Sequence, residues 1–156
     1  MLEDSFTRVY TKFKLHFYQK AFEKLKDRET SLTAVETFCM EIIFALGNPT
    51  IAEFSKVANL SSPNAAYKVS NLVSKGYVKK VRSKEDKRES YLVVTDKYRE
   101  YYNMSNSYVQ EVMKRMEERF TPEELATLDK VLEIMSEDLM PEIQLNKKSQ
   151  ELPEQD

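Results

Sequence analysis

The sequence predicts a mainly α-helical chain with one small β-hairpin, an α+β arrangement, and three observations predict it. Only 2 glycines and 5 prolines punctuate the 156 residues, so helices run with few breaks. Helix-start signals recur at Thr33, Thr50, Ser62 and Thr121. One stretch, residues 77–94, leaves the helical period for two short runs of β-branched and aromatic residues.

Residues 4–28 read as a first helix, because Phe6, Val9, Tyr10, Phe13, Phe17, Ala21 and Leu25 fall near a 3.6-residue period. A break at residues 28–31 follows. Thr33 and Glu36 then stand at capping-box spacing, where a hydroxyl and a carboxylate each satisfy one orphan amide. Val35, Phe38, Cys39, Ile42 and Leu46 give this second helix an apolar face. Gly47, Asn48 and Pro49 end it, since glycine accepts a left-handed terminus and proline blocks continuation.

Thr50 with Glu53 opens a short third helix whose inward residues are Ile51, Phe54 and Val57. After a tight break at residues 59–61, Ser62 reads as the next N-cap with Pro63 at the first helical position. This fourth helix directs Ala66, Val69, Leu72 and Val73 to a core and stops at Gly76. Two short helices joined by so small a turn fit helix-turn-helix geometry. Tyr77, Val78 and Val81, then Tyr91, Leu92, Val93 and Val94, mark the two strands. Between them residues 83–89 form a charged loop without one apolar side chain. A helix-turn-helix followed at once by a hairpin with a basic tip is a winged helix-turn-helix, a juxtaposition more specific than its parts.

Thr95 reads as the cap of a long helix reaching about Arg119, with Tyr101, Tyr102, Tyr108, Val112 and Met116 near one stripe. Thr121, Pro122 and Glu124 start the last helix, where Leu125, Leu128, Val131, Leu132, Met135 and Leu139 keep helical spacing. These elements divide the chain into helical flanks at 1–30 and 100–140, a winged helix-turn-helix at 31–99, and a polar tail at 141–156 read as frayed or disordered.

Charge is unevenly placed. From Thr50 to Arg88 nine cations face three anions, a net +6 within a total of −2, which leaves −8 on the rest. A basic island in an acidic protein is a directed electrostatic footprint, although a charge run by itself is ordinary solvated surface. No apolar run approaches the roughly 20 residues of a membrane span, and the N-terminus lacks the pattern of a secretory signal. Cys39 is the single cysteine, which excludes an internal disulfide and fits a cytoplasmic location. On the apolar face of its helix, an inert buried thiol is favoured over a redox switch. His16 stands among Phe13, Phe17 and Tyr18 without metal ligands at workable spacing, so no metal or other cofactor is expected. One histidine and one cysteine, with no phosphate loop, nucleophile elbow or HExxH, give no catalytic constellation, and the chain does not read as an enzyme.

The chain resembles the MarR family of winged-helix regulators. The resemblance rests on Leu32, Thr33 and Glu36, on the run from Thr50 to Ser55, and on Leu60 and Ser61 through Leu72, Gly76, Tyr77 and Val78. Its most specific part is the wing: Arg82, then Asp86, Lys87 and Arg88, then Leu92 to Thr95. Tyr98 departs from the pattern, where family members commonly have glycine. The resemblance implies a homodimer built by the first and last two helices, a palindromic operator in double-stranded DNA, and often a small effector. It also implies that Arg88 enters the minor groove while Asp86 holds it in place.

In such a protein the fourth helix lies in the major groove, with Ser62, Asn64, Tyr67, Lys68 and Asn71 as the outward candidates. Asparagine matches adenine in two-point fashion, lysine reaches guanine or phosphate, and a serine at a helix N-terminus suits phosphate oxygens. Arg88 suits a narrow minor groove, Lys84 and Lys87 suit phosphates, and Arg82 and Asp86 support the wing. Tyr10, Phe13, Phe17, Phe38 and Tyr101 are candidates for a pocket taking an amphipathic or aromatic effector, and equally for core or dimer seam. The expected function is a dimeric transcription regulator, more often a repressor in this family. The alternative is a winged-helix module that binds another protein.

Overall fold

The computed structural model describes residues 1–26, 32–102 and 106–146, and of Leu25, Glu100, Tyr101, Tyr102 and Asn106 only the backbone. The chain runs α1 (Leu2–Leu25), α2 (Ala34–Leu46), α3 (Ile51–Ala58), α4 (Ser62–Ser74), β1 (Val78–Arg82), β2 (Ser90–Val94), α5 (Asp96–Tyr102), α6 (Asn106–Arg119) and α7 (Pro122–Asp138). Its contacts divide it into two units: Met1–Arg28 with Tyr102–Glu142, and Glu29–Tyr101 with Ile143–Asp156.

Hydroxyl caps set the helix starts of the second unit. Thr33 Oγ1 accepts from the Glu36 amide at 3.2 Å while Glu36 Oε2 accepts from the Thr33 amide at 3.0 Å. Thr50 Oγ1 accepts from the Glu53 amide at 3.2 Å, which starts α3. Ser61, not Ser62, caps α4: its backbone is extended and its Oγ accepts from the Asn64 amide at 3.3 Å. Pro63 therefore occupies the second helical position, where its missing amide proton is still no loss.

The core side of α4 keeps the expected Val69 and Leu72 and takes Ala65 in place of Ala66. Ala65, Val69 and Leu72 are fully buried at spacings of four and three, whereas Ala66 and Val73, expected inside, are exposed. In α2 the buried side is Cys39, Met40, Ile43 and Leu46, while Val35 and Phe38 are about half exposed. That helix is apolar on nearly every side, so its period alone selects no face and the neighbouring elements decide. Val57 in α3 is exposed as well, leaving Phe54 as the inward anchor and Ile51 half-buried.

The α3–α4 turn reverses through Asn59 at φ 53°, a left-handed conformation that asparagine tolerates better than most residues. The buried Ser55 fixes that turn, its Oγ donating to the Leu60 carbonyl at 2.7 Å. The antiparallel hairpin pairs Val78 with Val94 and Arg82 with Ser90. Thr50 bridges to Tyr91, and the Leu92 amide donates to the Pro49 carbonyl at 2.7 Å, so the far edge of β2 is tied to the α2–α3 junction. Phe54, Met40, Ile43, Leu72, Leu92 and Tyr98 form the core of this unit. Tyr98, at the position of the departure from the family pattern, packs 6.0 Å from the Phe44 ring and donates its hydroxyl to Glu41.

In the first unit α1 begins at Leu2, and the expected break at residues 28–31 lies outside the described residues. The helix expected from Thr95 to Arg119 is described as α5 and α6, and residues 103–105 between them lie outside the described residues. His16 stacks on Tyr108 at 3.8 Å, and Phe13 meets the same ring edge-on at 5.5 Å, joining α1 to α6. Thr121 and Glu124 form a full capping box at the start of α7. None of the seventeen residues of α7 is buried, although Leu128, Val131, Leu132 and Ile134 are large and apolar. Phe6, Leu132, Met135 and Met140, with Asp129 and Glu133, line an open groove of about 640 Å³. Of the polar tail, Asn146 belongs to the second unit, its amide donating to Leu46 O at 3.1 Å and its Nδ2 to Gly47 O at 3.0 Å. Residues 147–156 lie outside the described residues.

Candidate nucleic-acid interface

With Ala65, Val69 and Leu72 turned inward, the outer side of α4 is fixed by helical geometry. Ser62, Asn64 and Tyr67 are exposed, Tyr67 by 67%, and Asn71 is half-buried one turn further along. Ala66 and Ser70 are exposed beside them. Sequence reasoning placed Ala66 in the core, because either of two adjacent alanines fits the apolar period. Lys68 is half-buried, and its positive charge is felt at both Glu36 and Cys39 on α2.

The wing tip is a folded loop. Buried Ser83 accepts from the Glu85 and Asp86 amides at 3.3 and 3.2 Å. The Ser83 amide donates to Glu89 O at 2.9 Å, and the Glu89 amide to Asp86 O at 3.0 Å. Asp86 Oδ1 accepts from the Arg88 amide at 3.0 Å and stands 3.6 Å from Arg88 Nε. Arg82 Nε donates to the Lys87 carbonyl at 3.1 Å from across the loop. An exposed ion pair contributes little stability, so the Asp86 carboxylate matters mainly through its bond to the backbone. The result is a shaped loop whose Arg88 side chain is 93% exposed, with Lys84 and Lys87 also exposed.

Behind α4, Lys75 Nζ donates to Glu36 Oε2 at 2.7 Å. Burial alone would raise the Glu36 carboxyl. Hydrogen bonds from Lys75 and the Thr33 amide, with the charges of Lys75 and Lys68, outweigh it and hold the group below its ordinary 4.5. Burial pushes the Cys39 thiol up, against the opposing pull of Lys68, which leaves little reactive thiolate at neutral pH.

The five pocket candidates fall in both units. Tyr10 is exposed and stacks 6.4 Å from Phe6, with Lys14 Nζ 4.6 Å from its ring. Phe13 meets Tyr108 and Phe17 meets Tyr18, at 5.5 and 5.9 Å. Phe38 belongs to the second unit, and the Tyr101 side chain lies outside the described residues. Among the described residues no group of three His, Cys, Asp or Glu side chains is placed to hold a metal, and no helix is long and apolar enough to cross a membrane.

Residues 32–90 match a family model described as the MarR family. No curated protein matches the chain. Among solved structures, Streptococcus pneumoniae FabT in complex with DNA is similar at 19% identity with a TM-score of 0.55, over 89% of this chain and 97% of that one. A MepR mutant from a multidrug-resistant S. aureus clinical isolate is similar at 16% identity and TM-score 0.60, over 86% and 97%. A MarR transcriptional regulator from Methanosarcina mazei is similar at 15% identity and TM-score 0.53, over 91% and 98%. At these identities the likeness is one of fold, and the shared fold is the winged helix.

Proposed function

We propose that this chain, whose residues 32–90 match the MarR family model, is a homodimeric, sequence-specific DNA-binding transcription regulator. One observation carries the reading: an outward-facing second helix of a helix-turn-helix is followed directly by a hairpin whose tip holds Arg88 almost wholly in solvent. The DNA seen with S. pneumoniae FabT is consistent with it.

In this reading α4 enters the major groove. Asn64, Tyr67 and Asn71 meet base edges, since an asparagine amide matches the donor–acceptor pair of adenine. Ser62, in the first turn of α4, meets phosphate where unpaired helix amides favour an anion. Half-buried Lys68 suits phosphate better than a base edge. Arg88 enters the minor groove, Lys84 and Lys87 meet the flanking phosphates, and Asp86 and Arg82 keep the loop in shape.

A dimer is supported by α7, where Leu128, Val131, Leu132 and Ile134 remain 37–55% exposed among the described residues. Two-fold symmetry then requires a palindromic operator with half-sites about 34–36 Å apart, one helical turn of DNA. Repression relieved by a small amphipathic or aromatic effector completes the reading. Tyr10, Phe13, Phe17, Phe38 and Tyr101 are the candidate contacts, and the effector acts by favouring a dimer of different half-site spacing. A regulator of this kind works in the cytoplasm.

Selection of bound sequences from random DNA tests the function. The expected result is an enriched palindrome whose recovery is lost with Arg88→Ala combined with Asn71→Ala. Recovery of no enriched sequence sinks the reading and favours a protein-binding winged helix.

A further inference from the structure

The last turn of a helix leaves carbonyls without partners and carries partial negative charge. In α4 the Asn71, Leu72 and Val73 carbonyls accept from the Lys75, Tyr77 and Gly76 amides, and the C-cap carbonyl of Lys75 is met from α5. Lys97 Nζ, from the first turn of α5, donates to the Lys75 carbonyl at 2.7 Å. The same ammonium lies 4.4 Å from the centroid of the Tyr77 ring. Gly76, at φ 82°, turns the chain here, and the Lys97 stem passes 3.8 Å from where a side chain at Gly76 would begin. Thr95 adds two bonds, its hydroxyl donating to Gly76 O at 2.6 Å and its amide to Tyr77 O at 3.0 Å. On the other side, Lys75 reaches Glu36 on α2.

We propose that Lys97 is a positioning residue for the DNA-reading helix. It caps the carbonyl end of α4 from α5 and sets the direction in which Asn64, Tyr67 and Asn71 point. This rests on the proposed DNA-binding reading of α4. A lysine beside a wing would ordinarily be assigned to phosphate. Here the ammonium, on an exposed residue, already donates to a carbonyl and lies over a ring face, and its stem lies along the Gly76 turn. Two kinds of cation then surround the same helix: those that meet DNA and one that aims the helix.

The two roles differ in what they do to binding. A phosphate contact contributes equally to every DNA sequence and adds about one to the slope of log affinity against log salt. A positioning residue acts on base readout and leaves that slope alone.

Lys97→Met keeps the stem and removes the charge, and Lys97→Arg restores a cation. Hydrogen exchange of the Lys75, Gly76 and Tyr77 amides in the DNA-free protein reads the latch directly. It is expected to quicken about tenfold in Lys97→Met and to return toward wild type in Lys97→Arg, the size expected for losing one charge-assisted hydrogen bond. On DNA, affinity for the selected operator is expected to fall about tenfold in Lys97→Met. Affinity for unrelated DNA and the salt slope are expected to hold. Unchanged amide exchange overturns the latch. Parallel loss on operator and unrelated DNA, with a shallower salt slope, makes Lys97 a phosphate contact and overturns the positioning role. A wild-type protein that binds no DNA overturns the function itself, whereas a wild type that reads its operator beside an unaffected Lys97→Met overturns this inference alone.

Discussion

Arg88 and Glu36 show two uses of charge in one small unit. Asp86 accepts from the Arg88 amide and pairs loosely with its Nε, and the guanidinium stays almost wholly in solvent. Removing it should leave folding unchanged, since the site is exposed, while weakening operator binding by about 1–3 kcal/mol, the scale of one good groove contact. Matched melting curves and binding isotherms for Arg88→Ala check both halves, and a variant that binds as wild type removes Arg88 from the interface. Glu36 is the opposite case, buried and paired with Lys75. Its folded carboxyl titrates below the ordinary 4.5, so its stabilisation is complete above that value and is lost as pH falls through the lower folded value. Glu36→Gln should cost about 1–2 kcal/mol at neutral pH. It should also flatten the loss of stability on acidification below about pH 4.5. Thermal midpoints across that range decide, and an acid limb as steep as wild type contradicts the assignment.

Among the elements, α4 shows how far residues alone specify an arrangement. Its existence, its exposed Asn64 and Tyr67, and the hairpin after it follow from caps, Gly76 and the change of period. Val69 and Leu72 are inward as expected, but the cap and the core alanine were not legible, because Ser61 and Ser62 are both competent caps and Ala65 and Ala66 are both competent core residues. Cap geometry resolves the pair. Ser61→Ala should therefore cost about 1 kcal/mol of stability, and Ser62→Ala only a few tenths. Ala65→Leu should overpack the core by about 1–3 kcal/mol, whereas Ala66→Leu should be tolerated. Denaturant midpoints for the four variants check this, and the reverse order in either pair contradicts the observed cap or the observed core alanine. In α2 the chemistry is too uniform to read, since Val35 and Phe38 are as apolar as the buried Met40 and Ile43. The Lys97 contact was hidden for another reason: it joins residues 22 apart in sequence, and nothing local marks a lysine as facing a carbonyl instead of water.

At the scale of the whole molecule, the charge distribution follows the two units. The basic island lies in the second, and the acidic remainder includes the helices of the first. If the half-exposed apolar residues of α7 are covered by a second copy, as proposed, stability becomes a property of two chains. The thermal midpoint should rise with protein concentration, and Val131→Asp should shift the sedimentation profile toward monomer. A concentration-independent midpoint with a monomeric wild type contradicts the dimer. The most direct measurement of the central claim is the salt dependence of binding to the selected DNA. If a dimer makes about 6–10 phosphate contacts, affinity should fall by roughly 10³–10⁵ between 50 and 200 mM salt. The Lys84→Ala, Lys87→Ala double variant should reduce that slope. Affinity that stays flat across this range would contradict a DNA-reading helix and wing.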